Sequence, residues 1–205
     1  MSKRTTTTWG IALSALTVAA AVSVTTPPAA AAVPAGPASG AHAPLGRLGP
    51  LTELVVERLR VSDDVAAAKF GTGSPIDDPT REQAVLEEVR AQSAELGLGA
   101  DSAVAFFGDQ ITASKVVQNG LFARWTAHPE EAPTTRPDLG EIRTRLDQLT
   151  TALLRELKAT VHVRGAAVPC AVQLALATGS AVVVDELDGL HRRALGTAVR
   201  SVCNA

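Results

Sequence analysis

Hydrophobic and polar positions along much of this chain repeat with the period of a helix. Leu51, Val55, Arg58, Ser62, Val65 and Lys69 follow one another at steps of four and three residues, which puts them on one stripe of a helix over about 51–70. That stripe mixes apolar and basic residues, and Gly71-Thr-Gly-Ser-Pro75 ends the helix. Asp77-Asp78-Pro79 opens a second one. An Asp that accepts the free N–H groups of a first turn, followed by Pro at the first helical position, is a start signal. Val85, Val89 and Leu96 mark its inner face, Glu82 shares that face, and Gly97 and Gly99 close it.

A third helix is predicted over about 101–127. Val104, Phe107, Ile111, Ser114, Gln118, Leu121 and Trp125 keep the alternating three-four spacing of a core seam. Ser114 and Gln118 are polar positions on that seam. Buried polar groups cost free energy unless they are hydrogen-bonded, so these two face a ligand or a partner. The plainer alternative is that Ser114 bonds back to its own helix and Gln118 to a neighbouring one. After the Pro-containing acidic stretch 128–137, Asp138 with Glu141 three residues on resembles a capping box. It opens a fourth helix with the stripe Ile142, Leu146, Leu149, Leu153 and Leu157. The segment from about 170 to 203 reads as a helix pair or one broken helix, with Gly179, Gly189 and Gly196 as candidate breaks.

The N-terminal region changes how the rest is read. Lys3 and Arg4, an apolar stretch of about 16 residues from Trp9 to Val24, Pro27-Pro28 and the run Ala29–Ala32 have the layout of a secretory signal. A membrane span needs ~20 apolar residues, and the breakers here come sooner. The expected organisation is a signal peptide over 1–32, a flexible Ala/Gly/Pro-rich leader over 33–50, and one helical domain over 51–205. Removing residues 1–32 takes away two cations and no acid, so the net charge of −2 becomes −4. That balance excludes a nucleic-acid binder, which needs clustered excess Lys and Arg. With 46% hydrophobic but only 3% aromatic residues, the composition favours an all-α domain. In an exported chain the two cysteines, Cys170 and Cys203, are most simply a disulfide. It closes a loop of about 34 residues and is worth on the order of 4 kcal/mol. A metal role would need further ligands at close spacing, which His162 and His191 do not supply.

Arg58 and Lys69 on the first helix, Arg81 in the first turn of the second and Arg143 beside the stripe of the fourth bring cations inward. Ser114 and Gln118 add neutral donors. Each cation alone could be a surface ion pair: Arg58 near Glu57 or Asp63, Arg81 with Asp77 or Asp78, Arg143 with Asp147. Together they repel one another, and Asp78 and Glu82 carry too little charge to offset them. A small dianion gripped by guanidinium forks completes the set. There is no Ser-His-Asp grouping, His-rich metal cluster, Gly-rich phosphate loop or inward carboxylate pair.

Glu57-Arg58-Leu59, Val65-Ala66-Ala67-Ala68-Lys69, Pro75-Ile76-Asp77-Asp78-Pro79-Thr80-Arg81-Glu82, and Phe107-Gly108-Asp109-Gln110-Ile111-Thr112-Ala113-Ser114 with Gln118 resemble the all-helical chorismate mutases. The signal, the C-terminal helical extension and the cysteine pair are similar to the secreted (gamma) subclass, and the resemblance covers about residues 50–203. It implies rearrangement of chorismate to prephenate without cofactor, metal or covalent intermediate. Catalysis then rests on holding the reactive conformer and stabilising charge on the ether oxygen. By position, the resemblance implies that Arg58 and Arg143, helped by Arg81, hold the carboxylates. Arg145 is the runner-up to Arg143. Lys69 and Gln118 flank the ether oxygen, Glu82 and the backbone near Asp78 take the ring hydroxyl, and Ser114 lies near the carboxylate end. An amide at 118 implies activity that does not require acid pH. The resemblance also implies a homodimer, secreted or periplasmic, with chorismate as its small-molecule partner and no membrane association after signal removal. Two rivals remain at this stage: an inactive secreted helical-bundle binding protein, and an enzyme acting on a related enol ether or cyclohexadiene acid.

Overall fold

The computed structural model describes residues 44–204; the expected signal peptide and most of the expected leader lie outside them. Among the described residues there are seven α-helices: α1 (Gly49–Lys69), α2 (Pro79–Glu95), α3 (Ala100–Ala127), α4 (Leu139–Ala159), α5 (Val161–Arg164), α6 (Ala167–Val184) and α7 (Gly189–Ala198). A 3₁₀ turn, Pro129–Glu131, joins α3 to α4, and no strand occurs among these residues.

The helix starts follow local chemistry. The Asp78 Oδ1 accepts the Arg81 N–H at 3.0 Å, Asp138 accepts those of Gly140 and Glu141 at 2.8 and 2.9 Å, and Asp188 accepts that of His191 at 2.8 Å. Each removes donors that a helix otherwise leaves unsatisfied. Pro50 and Pro79 stand in first turns, where the missing N–H costs nothing.

Residues 44–48 pack on α6: the Leu45 N–H donates to Ser180 Oγ and the Arg47 N–H to Gln173 Oε1, both at 2.7 Å, and Leu48 is fully buried. These residues thus contact α6 before α1 starts at Gly49. In the C-terminal segment the break falls at Asp185–Asp188, with Glu186 at φ +52°; Gly179 and Gly196 stand inside helices.

The main core gathers Leu51, Val55 and Leu59 of α1, Phe106, Phe107 and Val117 of α3, Leu153, Leu154 and Leu157 of α4, and Leu195 and Ala198 of α7. Each large side chain buried this way is worth about 1.5–3 kcal/mol. Helix α3 is covered on two adjacent stripes. The seam read from sequence holds Phe107, Gln118 and Trp125, and a second line one residue away, Ala103, Phe106, Gln110, Ala113 and Val117, is buried deeper. Gln110, passed over in the sequence, donates from Nε2 to the Ala198 carbonyl at 2.7 Å and ties α3 to the end of α7. At Gly120 a Cβ would come within 2.5 Å of the Leu190 side chain, so Leu190 of α7 packs directly over this glycine of α3 and would have to shift to admit a larger residue. A smaller cluster, Val61, Ala68, Ile142 and Leu149, joins α1 to α4.

Cys170 and Cys203 form the expected disulfide, with Cα atoms 5.7 Å apart. It anchors α6 to the chain end beyond α7. Arg164 reinforces this corner by donating to the Leu157 carbonyl at 3.0 Å and to that of Val202 at 3.4 Å. Helix α6 is long and apolar enough by composition to cross a membrane, and Val168, Val172, Leu176 and Val183 on it are exposed. The other expectation for this region, two helices bracketed by the cysteines, describes α6 and α7.

Candidate active site

Helices α1 to α4 enclose a cavity of about 170 Å³, and Arg58, Lys69, Asp78, Arg81, Glu82, Ser114, Gln118 and Arg143 all line it. The helical periods explain the convergence. Arg58 and Lys69 are eleven residues apart on α1, close to three turns, so they stand above one another on one face. Ser114 and Gln118 are one turn apart on α3. Arg81 and Glu82 sit in the first turn of α2, whose start is fixed by the Asp78 cap.

Arg58 is 8% exposed. Its Nη1 donates to the Leu146 carbonyl at 3.3 Å and to Thr150 Oγ1 at 3.4 Å, and the guanidinium lies 5.7 Å from the Phe107 ring centroid. Burial pushes its pKa down to about 10, with Asp147 acting in the opposite sense. Lys69 is likewise lowered, chiefly by desolvation. Its ammonium donates to the Pro75 carbonyl at 2.9 Å and that of Ile76 at 3.4 Å, in the loop that Gly71, at φ +70°, turns away from α1. Among the described residues no carboxylate lies within 4.0 Å of Arg58, Lys69 or Arg143.

The ion pairs weighed from sequence are arranged otherwise. Asp147 meets Arg81, Nη2 to Oδ1 at 3.5 Å, rather than Arg143. Glu57 meets Arg145 at 3.3 Å, and Asp64 lies 3.7 Å from the same guanidinium. Arg145 is thus engaged outside the cavity, while Arg143 lines it. Asp77 pairs with Lys115 at 2.8 Å. Four acids, Asp78, Glu82, Glu88 and Asp147, line the cavity with the five cations Arg58, Lys69, Arg81, Lys115 and Arg143, and of these acids only Glu82 is not exposed. The excess is one positive charge, and Arg58, Lys69 and Arg143 are the lining cations with no carboxylate within 4.0 Å among the described residues.

Sequence reasoning missed Lys115, Asp147 and Thr150. Lys115 is one turn past Ile111 on the edge of the α3 seam, a spacing that could have drawn it in. Of the two alternatives for Ser114 and Gln118, neither holds in full: Gln118 Nε2 donates to Ser114 Oγ at 3.1 Å within α3, and Gln118 Oε1 is buried without a partner. An unsatisfied buried carbonyl costs about 1–3 kcal/mol, and the amide is therefore poised for a ligand. The lining contains neither His nor Cys. One group of potential metal ligands, His128, Glu130 and Glu131, lies exposed outside the cavity, and Arg124 already pairs with its Glu131. Such a site can grip a dianion, select a conformer and donate to a developing negative charge.

A family model for type II chorismate mutase matches residues 50–119. A secreted chorismate mutase of Mycolicibacterium smegmatis is 33% identical over 156 residues, covering 76% of this chain and 86% of that protein. The chain belongs to the secreted chorismate mutase family. Its Mycobacterium tuberculosis relative, also named a secreted chorismate mutase, is 32% identical over 172 residues, 84% of this chain and 86% of that one. Among solved structures, a chorismate mutase from Burkholderia thailandensis superposes with a TM-score of 0.73 at 36% identity over 77% of this chain and 99% of that chain. The secreted chorismate mutase of Yersinia pestis, 23% identical with a TM-score of 0.61 over 75% of this chain and 95% of that one, shares the fold. Every cavity residue expected from the family motifs except Arg143 falls inside the matched segment 50–119.

Proposed function

We propose that this chain is an exported isomerase that converts chorismate to prephenate by an intramolecular [3,3] shift. The ether C–O bond breaks as the new C–C bond forms, so no group leaves the molecule and no nucleophile is needed. The protein must hold the reacting ends together and stabilise the negative charge that grows on the ether oxygen. Arg58 and Arg143 take the two carboxylates, with Arg81 assisting. Lys69 and the Gln118 amide donate to the ether oxygen. Glu82 and the backbone at Asp78 accept or orient the ring hydroxyl, and Ser114 sits toward the carboxylate end. The single observation that carries this reading is the trio Arg58, Lys69 and Arg143, cations lining one cavity without a carboxylate within 4.0 Å. Arg58 is buried, Lys69 half-buried and Arg143 exposed, and the buried charge of Arg58 and Lys69 calls for a ligand of the opposite sign.

An inactive binding protein of the same fold has no use for all of Arg58, Lys69, Arg81 and Gln118 in one cavity. Export rests on the basic start, apolar stretch and Ala-rich site over residues 1–32 and on relatives named as secreted. A homodimer rests on family resemblance, and light scattering of the purified chain tests it. The activity is tested by following loss of chorismate absorbance with the purified protein, then converting the product to phenylpyruvate in acid. Turnover above the spontaneous rate, abolished in Arg58→Ala and Lys69→Ala, is the expected result. No turnover refutes the assignment, and full activity in either variant refutes the site.

A further inference from the structure

Lys115 has no part in the roles assigned above, yet its ammonium sits where Glu82 of the cavity lining and Asp77 of the adjoining loop converge. Nζ lies 2.8 Å from Asp77 Oδ1 and 2.8 Å from Glu82 Oε1. The same Glu82 oxygen accepts the Asp78 N–H at 3.1 Å. We propose that Lys115 is a positioning residue that holds Glu82 and the 71–78 loop in the geometry that recognises the ring hydroxyl, an inference that rests on the chorismate reading of this site.

Two features carry it. First, Glu82 has one oxygen committed to Lys115 and the Asp78 amide, and among the described residues nothing donates to the other. A carboxylate fixed this way offers one oriented acceptor to a hydroxyl, whereas a free one swings between rotamers and loses side-chain entropy on binding. Lys115 and Glu82 are 27% and 26% exposed, so their contact is better shielded than that with Asp77, which is 73% exposed. The two hydrogen bonds raise the Lys115 pKa. It stays an ammonium and acts as a fixed donor, never as a proton source.

Second, the 71–78 loop is tied to the helices by two lysines. Lys69 holds the Pro75 and Ile76 carbonyls, and Lys115 holds Asp77. In the proposed reaction Lys69 must turn at least one N–H to the ether oxygen. Its three N–H groups then divide between the two loop carbonyls and the substrate, while Lys115 holds the loop through partners that are not the substrate.

The test uses the full exported chain with Lys115→Met and Lys115→Arg, each checked for a wild-type circular dichroism spectrum, with Lys115→Gln in reserve should the Met variant fail to fold. Lys115→Met should raise KM for chorismate about tenfold or more and change kcat less than KM. Lys115→Arg, which keeps charge and reach, should recover most of the loss. In a cycle with Glu82→Gln the second substitution should add little, because both remove the same oriented acceptor. Amides of residues 72–78 should exchange hydrogen faster in Lys115→Met. Wild-type KM in Lys115→Met, additive losses with Glu82→Gln, or no rescue by Arg each overturn the proposal. Should the wild-type chain fail to turn over chorismate, the reading of the site falls, and unchanged exchange at 72–78 in Lys115→Met separately overturns the clamp.

Discussion

Replacing Arg58 by Met removes a cation that the fold has buried without giving it an anion, and the consequences for stability and for activity run in opposite directions. Arg58 is 8% exposed, and burial lowers its pKa from 12.5 to about 10. A shift of that size corresponds to ~3 kcal/mol of disfavour for the charged form. Because the folded value lies below the unfolded one, the penalty is in force at every pH below about 10 and lifts only above it. Against this stand the Phe107 contact, worth ~1 kcal/mol, and two long hydrogen bonds to Leu146 and Thr150. Neither acceptor is stranded by the change, since Thr150 Oγ1 donates to the Leu146 carbonyl at 2.8 Å in its own right. Met fills much of the arginine stem's volume.

The expected net is a gain of about 1–2 kcal/mol, or ~2–8 °C in Tm for a chain of this size. Activity should fall by ~30- to 1000-fold, the cost of removing one charged partner of a bidentate carboxylate grip. Thermal unfolding by circular dichroism at pH 7, with and without a saturating dicarboxylate such as the substrate's product, reads stability and binding, and steady-state kinetics reads the activity. The dianion should raise the wild-type Tm and leave Arg58→Met unmoved. A Tm for Arg58→Met several degrees below wild type would refute the reasoning, because it would mean that Arg58 is held by more than it costs.

Arg143→Ala should lower kcat/KM by at least tenfold while Arg145→Ala changes it less than threefold; steady-state kinetics of the two variants decides between them. His191, placed between Asp63 at 3.0 Å and Asp188 at 2.8 Å, has its pKa pushed up to about 9, chiefly by the Asp63 hydrogen bond. Its folded value is the higher, so its stabilisation of ~1–3 kcal/mol is complete below the ordinary 6.5 and lost as pH rises through 9: His191→Ala should lower Tm at pH 6 and match wild type at pH 10. Gln118→Glu places a carboxylate where a donor is needed, and the pH–rate profile should shift to acid, with a loss at pH 8 of ~100-fold or more. Replacing both Cys170 and Cys203 by Ser should destabilise by about 4 kcal/mol, read as a fall in the denaturant midpoint, with kcat little changed because the bridge lies away from the cavity.

The parts of the fold legible in the sequence are those decided within a few residues. Asp78 and Pro79 announce the start of α2, and Asp138 that of α4, because the cap and its helix are neighbours in the chain. The docking of residues 44–48 on α6 was not legible, since its acceptors, Gln173 and Ser180, lie more than 120 residues away. A glycine- and proline-rich stretch looks the same from sequence whether or not another helix offers it hydrogen bonds. The C-terminal break was left open among three glycines for the reverse reason: it falls just before Gly189, whereas Gly179, equally a local breaker, stands on an exposed position of α6 with nothing within 4 Å of its Cβ direction, where the helix tolerates it at ~1 kcal/mol.

The site shows the same division. Motif spacing brought the expected side chains together on α1, α2 and α3, but it could not choose between Arg143 and Arg145. At 100° per residue the two flank the Ile142–Leu146 stripe on opposite sides, so the helix itself gives them equal claims. The neighbouring helices decide: on one flank α1 presents Glu57 and Asp64 and takes Arg145, and on the other the cavity opens to Arg143. Asp147, four residues after Arg143, had looked like its partner by helix spacing, and instead reaches across to Arg81 on α2. Charge complementarity across the bundle thus places acids against the cations that need holding and withholds them from Arg58, Lys69 and Arg143. The unfilled valence of the Gln118 carbonyl points the same way: its amide is satisfied on the Ser114 side only, and turning it over would let the Ser114 hydroxyl donate to Oε1 and free Nε2 for an acceptor in the cavity. A site designed only to be stable would have paired buried Arg58 and the Gln118 carbonyl internally; leaving them open costs stability in the empty protein, and on the proposed reading that cost is recovered when a ligand with two carboxylates and an ether oxygen fills the cavity.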